Sequence, residues 1–269
     1  MTESEEGMPI SLADSKPQPR WYMVYGAPKH GKTVLAATIS EKFPDKPGKE
    51  RVVLDDVLYL QCDTNGIESL LGLQIVPYVI DLAVTETDYL KYKQIVMNAM
   101  KEAVAAVKSQ GIKYIVIDTL STLDATMTAL LSKVKDGQQL YGQLYADMRE
   151  IFNTLKSAPA SVIALAHVKV AHSLIGDSAS TTQRKMASEL PGAVDFTPQI
   201  TGKAADLYKG ACSGLFALRT IQAKGKPPER KIITNTYLGY EAGHRFQGLD
   251  VEEEAHLGKL LTKANTHRG

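Results

Sequence analysis

Eight consecutive residues near the start of the chain have the types and spacing of a phosphate-binding loop. They read GAPKHGKT and fit the pattern G-x-x-x-x-G-K-[ST]. The glycines let the backbone turn so that successive N–H groups face phosphate oxygens. The lysine charge reaches the β- and γ-phosphates, and the hydroxyl binds Mg²⁺. We therefore predict a site for ATP and Mg²⁺, whose contacts are Gly26, Ala27, Pro28, Lys29, His30, Gly31, Lys32 and Thr33.

The residues on either side of the loop support this interpretation. Residues 21–25 (WYMVY) form a short apolar run, and residues 33–43 (TVLAATISEKF) have apolar side chains at helical spacing. A phosphate-binding loop requires this order of strand, loop and helix. A glycine turn with a solvated lysine is the alternative, and it explains neither flanking element.

A carboxylate for the metal is predicted at the end of a later strand. Residues 114–117 (YIVI) are apolar, and Asp118 follows them directly. A carboxylate at the end of a buried strand can hold Mg²⁺ and its water shell, so Thr33 and Asp118 are the predicted metal residues. Asp118 could instead cap the next helix, although Thr119 and Ser121 are also suitable caps.

Hydrolysis also requires a group that orients or deprotonates the attacking water. Asp63 follows the strand-like residues 51–62 and is the first candidate, with Glu68 as a competing acid. Asp63 could equally cap a helix predicted over residues 64–71.

His167 is predicted to close the apolar strand 161–166. A histidine in this position is usually structural. Here, however, the strand is the next parallel candidate after the one that precedes Asp118, so both should open on one crevice. We therefore predict that His167 responds to the γ-phosphate, and the predicted catalytic set is Lys32, Asp63, Asp118 and His167.

Strand-like and helical patterns alternate along most of the chain. The longest helical pattern covers residues 86–110 and ends at Gly111. Continuous apolar strands that alternate with helices predict an α/β fold, with a mostly parallel sheet covered on both faces. Residues 214–223 and 230–237, separated by KGKPPE, predict an antiparallel hairpin at the sheet edge.

Three parts are predicted: a flexible lead (residues 1–20), an ATPase core with its edge hairpin (21–249), and a closing helix and tail (250–269). The acidic residues at 250–254 should form the first turn of that helix, where the helix dipole favours them.

Composition narrows the function classes further. The 269 residues include 31 Lys+Arg against 30 Asp+Glu, so the net charge of +1 argues against coating nucleic acid by bulk charge. The apolar runs are too short for a membrane span, and the acidic start is unlike a secretion signal. We expect a cytoplasmic protein without membrane contact. Its two cysteines, Cys62 and Cys212, lie in apolar runs and are predicted to be reduced core residues.

Together and in this order, these motifs resemble the RecA-like branch of the phosphate-loop ATPases. That branch has a carboxylate at the end of the strand after the loop helix, as at Asp63, and Ser or Thr after the Mg²⁺ acid, as in Asp118-Thr119. A polar sensor leads into a mobile DNA-binding loop, as His167 leads into residues 168–189. The usual residues are Glu and Gln at the positions of Asp63 and His167, so this chain departs from the pattern at both.

The compact size and residues 198–205 (PQITGKAA) are similar to phage nucleotide-binding proteins of the Sak type, which are RecA-like single-strand annealing recombinases. The resemblance implies an Mg²⁺-dependent ATP hydrolase that controls single-stranded DNA binding in phage-type homologous recombination or strand annealing. It also implies a homo-oligomer, as a ring or a filament, working in the host cytoplasm and together with a single-strand binding protein.

Basic residues near the crevice are the candidates for DNA contact. Lys169, Arg184 and Lys185 suit phosphate-backbone contacts, although a solvated loop without a partner is the alternative. A second basic patch at the hairpin turn suits either a solvated edge or phosphate contact, and consists of Lys224, Lys226, Arg230 and Lys231. The sequence offers no evident arginine inside the crevice. A cation from a neighbouring subunit would then complete the site, and Lys203 and Arg219 are the candidates.

Two other functions are compatible with the same core. One is a helicase, packaging or loading motor with the RecA fold. The other is a nucleotide-gated module that binds DNA or protein and turns over little ATP.

Overall fold

The computed structural model describes residues 19–172, 194–222 and 225–266. The predicted flexible lead falls almost wholly outside these ranges, as do the predicted DNA contacts Arg184 and Lys185 and the patch residue Lys224. Within the described ranges, no helix is both long and apolar enough to cross a membrane.

A single large sheet forms the centre of the described chain. Its strands are β1 (Trp21–Gly26), β2 (Val52–Gln61), β3 (Ile75–Asp81), β4 (Tyr114–Asp118), β5 (Ser161–His172), β6 (Val194–Pro198), β7 (Gly214–Ile221), β8 (Glu229–Ile233), β9 (Gly243–His244) and β10 (Glu252–Glu254). The main order is β10-β8-β7-β1-β5-β4-β2-β3, with β6 paired to β5 and β9 paired to β7. The strands from β7 to β3 are parallel, whereas β8 and β10 are antiparallel additions at one edge.

Helices cover both faces of this sheet. They are α1 (Lys32–Ala37), α2 (Glu68–Leu71), α3 (Tyr89–Gln110), α4 (Leu120–Leu131), α5 (Gly137–Lys156), α6 (Gly202–Ala211) and α7 (Leu257–Thr266). Side chains alternate across each strand, so Met23 packs on the α3–α6 face and Val24 on the face of α1, α2 and α7. The predicted α/β fold, with a mostly parallel sheet covered by helices on both faces and an antiparallel edge hairpin, is confirmed.

Strand β5 is longer than the sequence predicted. It stays in the parallel sheet as far as His167, which lies opposite Gly26, and then pairs antiparallel with β6 from Val168 onward. The prediction that His167 closes its strand is therefore wrong, and Lys169 lies on a strand and not in a loop. Phe196 of β6 gives this β5–β6 ribbon a core contact, because its ring stacks on Tyr240 and its carbonyl accepts a hydrogen bond from the Tyr25 hydroxyl.

The acidic segment near the C-terminus is the second difference. Residues Glu252–Glu254 form β10 against β8, and the closing helix begins only at Leu257. Strand β10 pairs with the outer edge of β8, which would otherwise leave backbone groups unpaired. Its three acids each form an ion pair: Glu252 with Arg219, Glu253 with Lys263 and Glu254 with Lys259. Strand pairing and these ion pairs thus outweigh the preference of acids for a helix N-terminus.

Candidate nucleotide-binding site

The sheet order brings four of the predicted residues to one edge. Strand β5 lies between β1 and β4, and β4 lies beside β2. Gly26 is level with His167, and Asp118 is level with Gln61, two residues before Asp63. Because parallel strands end at the same edge, the loop after β1 and these side chains border one crevice.

The two loop glycines are required for different physical reasons. Gly31 has φ 86°, in the left-handed region that favours glycine. Gly26 ends strand β1, and a Cβ there would lie 2.8 Å from the carbonyl oxygen of Leu218 on β7. The sequence attributed both glycines to the turn, but Gly26 serves close contact between neighbouring strands.

Lys32 is held over the loop by carbonyl oxygens. Its Nζ donates hydrogen bonds to the carbonyls of Gly26 and Ala27, each at 3.0 Å, and only 5% of the residue is exposed. Burial lowers the pKa of Lys32 to about 8, while the charges of Asp118 and Asp63 act in the opposite direction. The ammonium group is therefore fixed where the loop backbone faces the crevice.

Thr33 and Asp118 meet directly, as expected for two metal residues. The Thr33 hydroxyl donates to Oδ2 of Asp118 at 2.6 Å. Burial raises the pKa of Asp118 to about 6, against the Thr33 hydrogen bond and the Lys32 charge. The helix-cap alternative for Asp118 is wrong, because Thr119 is the N-cap of α4 and its side chain accepts from the Thr122 N–H.

This donor pair fits Mg²⁺. A hydroxyl and a carboxylate are hard oxygen donors, and Mg²⁺ in nucleotide sites takes few protein ligands and completes its shell with phosphates and water. Over the described residues, no cluster of three or more His, Cys, Asp or Glu side chains could hold a metal alone. A site completed by the nucleotide matches that donor set.

Asp63 borders the same crevice, because it follows Gln61, which is level with Asp118, by two residues. It is half-buried, and its Oδ1 accepts a hydrogen bond from the Asn65 N–H at 3.4 Å. Burial has the largest effect on the pKa of Lys32, Asp118 and His167, and the Asp63 charge makes a smaller contribution that favours a higher pKa for each. Asp63 does not cap α2, because that helix begins at the exposed Glu68 and has Ile67 at its N-cap.

His167 is bound through its backbone to two other elements. Its N–H donates to Ser121 Oγ at 2.8 Å, and the Ser121 hydroxyl donates to the Gln199 carbonyl at 2.7 Å. The Gln199 N–H returns a bond to the His167 carbonyl at 2.8 Å. Burial and the Lys32 charge lower the pKa of His167, which favours the neutral ring, and its buried Nδ1 has no hydrogen-bond partner among the described residues.

Sequence reasoning missed the contacts that three residues make near the crevice. Ser121 and Asp124 connect α4 to the segment after β6, since Oδ2 of Asp124 accepts from the Thr201 N–H at 2.9 Å. Arg230, assigned to the basic patch, has its guanidinium against Gly31, where an added Cβ would lie 3.1 Å from Cζ. No local pattern marks these residues, because each contact joins segments that are distant in the chain.

The remaining predicted residues lie away from the loop or outside the described part. Lys169 is exposed on the β5–β6 ribbon, and Arg219 forms an ion pair with Glu252 at 3.3 Å. Lys203 is the second residue of α6, and its side chain lies outside the described atoms. Both cysteines are buried and free, as predicted.

Comparison with known proteins gave a family match and a number of similar solved structures. The model of a family described as AAA domain matches residues 18–246. The search of curated proteins found no match. Among solved structures, a KaiC-like protein from the hyperthermophilic archaeon Pyrococcus horikoshii OT3 is similar, with a TM-score of 0.43 and 11% identity. The similarity covers 81% of this chain and 78% of that one.

Proposed function

Because this chain belongs to the AAA domain family, and so contains a nucleotide-binding phosphate-loop ATPase domain, we propose that it is an Mg²⁺-dependent ATP hydrolase that controls single-stranded DNA binding. The process would be phage-type homologous recombination or strand annealing. The observation that carries this proposal is the path of β5, which passes His167 at the crevice and continues into the β5–β6 ribbon with Lys169.

The residues of the crevice have complementary roles in hydrolysis. Lys32 neutralises the β- and γ-phosphates, and Thr33 with Asp118 would hold Mg²⁺, which supplies further positive charge at the phosphate oxygens. Asp63 accepts a proton from the attacking water or orients it. Its half-buried carboxylate acts on the pKa of both Lys32 and His167, which supports a position near the reacting phosphate.

The DNA half of the proposal depends on the link between crevice and ribbon. Ser121 lies three residues after Asp118 and holds both the His167 N–H and the Gln199 carbonyl, at the two strands of the ribbon base. A change around the γ-phosphate would therefore reach the segment between β5 and β6, which includes Arg184 and Lys185. With a net charge of +1, DNA affinity would come from such local contacts and depend on the nucleotide.

Oligomerisation is part of the proposal. Charge on the transferring phosphoryl group must be neutralised, and a neighbouring subunit could add a cation such as Lys203 or Arg219. A ring or filament would also multiply weak DNA contacts along one strand. A single-strand binding protein is the expected partner on the same DNA.

ATPase rate with and without single-stranded DNA tests the proposal. We expect DNA to stimulate hydrolysis, and Lys32→Ala to reduce the rate by about 100-fold or more because the phosphates lose their main cation. ATP-dependent annealing of complementary strands should accompany this activity.

Other outcomes would assign the alternatives. ATP-driven strand displacement without annealing would indicate a helicase, packaging or loading motor. Stable ATP binding without turnover would indicate a nucleotide-gated binding module. A wild-type protein that binds neither ATP nor DNA would contradict the proposal as a whole.

A further inference from the structure

The guanidinium of Arg230 lies flat against the phosphate-binding loop. A Cβ placed on Gly31 would lie 3.1 Å from Cζ, 3.2 Å from Nη1 and 3.4 Å from Nε of Arg230. Three atoms of one planar group lie at nearly the same distance, so the guanidinium faces the loop with its plane and not with one end. Glycine at position 31 leaves room for this contact.

The edge hairpin brings Arg230 to this position. Strand β7 runs parallel to β1, so its end lies at the same sheet edge as the loop that follows β1. Strand β8 starts beside that end, and Arg230 pairs with Thr220 of β7. The arginine therefore belongs to the same subunit as the loop that it contacts.

Unlike Lys231 and Arg219, Arg230 forms no ion pair within the described part of the chain. Lys231 forms an ion pair with Glu229 at 2.6 Å, and Arg219 pairs with Glu252. Across the residues that the structure describes, no carboxylate pairs with Arg230. Arg230 and Lys32 are thus two cations beside one loop, and an anion bound at the loop would be attracted by both.

We propose that Arg230 binds the α- and β-phosphates of the nucleotide in cis, beside Lys32, which neutralises the β- and γ-phosphates. The inference rests on the proposed nucleotide site and adds a second cation, from an exposed residue, to it. A planar guanidinium suits this task because its fork of N–H groups can bind two phosphate oxygens at once.

Electrostatic effects support the division between the two cations. The charge of Arg230 lowers the pKa of His30, together with burial and Lys32. The pKa of His167 responds instead to burial, Lys32 and Asp63. Of these two histidines only His30 responds to the Arg230 charge, in agreement with the contact between Arg230 and the adjacent Gly31.

Binding of fluorescent ADP and ATP analogues to Arg230→Ala tests the proposal. We expect both nucleotides to bind about tenfold more weakly, since ADP keeps the α- and β-phosphates. KM for ATP should rise by a similar factor, with kcat almost unchanged. Arg230→Lys keeps the charge but loses the fork of N–H groups, so its nucleotide affinity should lie between those of wild type and Arg230→Ala. Arg149→Ala removes an exposed arginine on α5 and is the matched control.

Two results would overturn the assignment. If Arg230→Ala binds both nucleotides with unchanged affinity, Arg230 does not contact the phosphates. Weaker binding of ATP alone, or a loss confined to kcat, would place it at the γ-phosphate. Lys32→Ala separates these outcomes from failure of the nucleotide site itself: if wild type and Lys32→Ala both bind no nucleotide, the proposed function fails and not the role of Arg230. Circular dichroism confirms that each variant is folded.

Discussion

At the level of single residues, Asp118 shows how the site is built at the expense of stability. The carboxylate is 2% exposed, and its pKa is raised from an ordinary value of 3.8 to about 6. An acid with a raised pKa holds its proton more tightly in the native state, so the native state loses stability as the pH rises from about 3.8 to about 6. The shift corresponds to about 3 kcal/mol above pH 6.

Asp118→Asn should therefore stabilise the nucleotide-free protein while it abolishes Mg²⁺-dependent hydrolysis. We expect the free energy of unfolding at pH 8 to increase by about 1–3 kcal/mol, with little gain near pH 4, because the ionised carboxylate is removed. Urea denaturation in EDTA at both pH values measures the difference. Asp136→Asn makes the same change at an exposed residue and serves as control. If Asp118→Asn is less stable than wild type at pH 8, the ionised Asp118 carboxylate does not destabilise the folded protein, and the prediction is wrong.

Asp63 and Glu68 are two acids on the same segment with different surroundings. Asp63 is half-buried at the crevice, whereas Glu68 is exposed at the start of α2. If Asp63 acts on the attacking water, Asp63→Asn should lower kcat by about 100-fold or more while ATP affinity is retained. Glu68→Gln should leave kcat at the wild-type value. The reverse pattern in single-turnover assays would transfer the role to Glu68.

At the level of elements, three segments meet at Ser121. Its hydroxyl accepts from His167 of β5 and donates to Gln199 after β6, and the residue itself belongs to α4, which follows Asp118. Asp124 and Thr201 add a second connection between α4 and the start of α6. The ribbon is thus connected to the helix that follows the proposed metal residue Asp118, so we expect nucleotide state and ribbon position to change together.

Ser121→Ala should weaken this link. It leaves two backbone groups without a partner, so we expect the free energy of unfolding to fall by about 1–3 kcal/mol. Stimulation of the ATPase by single-stranded DNA should decrease more than the basal rate, since the ribbon is no longer held to α4. Ser132→Ala, at the exposed end of the same helix, is the control. Equal stimulation in both variants would show that the ribbon does not carry the signal.

At the level of the whole molecule, the two sheet edges differ. β3 ends one edge, whereas the other edge is extended by β7, β8 and β10 and reaches back to the loop through Arg230. This extension supplies a cation in cis, so a neighbouring subunit would need to supply only the charge at the γ-phosphate. The balance of 31 basic to 30 acidic residues leaves little bulk charge to hold DNA without nucleotide.

Dependence on a neighbour should appear in the kinetics. We expect ATPase activity per subunit to rise with protein concentration, because each site gains its γ-phosphate cation only after assembly. Assays from nanomolar to micromolar protein, with sedimentation at the same concentrations, measure this. Constant activity from a monomer across that range would exclude a residue acting in trans.

The sequence alone determined the parts of the site that depend on neighbouring residues. GAPKHGKT specifies a loop between a strand and a helix, and YIVID specifies a buried strand that ends in a carboxylate, because backbone conformation and burial follow from local residue types. The alternation of strand-like and helical segments was also sufficient to predict the α/β fold with a mostly parallel sheet.

Only the tertiary structure decided the features that depend on which strands become neighbours. The close approach of Gly26 to Leu218 follows from the pairing of β1 with β7, and the position of Arg230 follows from the pairing of β7 with β8. The continuation of β5 past His167 depends in the same way on β6. These contacts join residues far apart in the chain, and their free energy depends on packing and strand pairing, which no local pattern of residue types encodes.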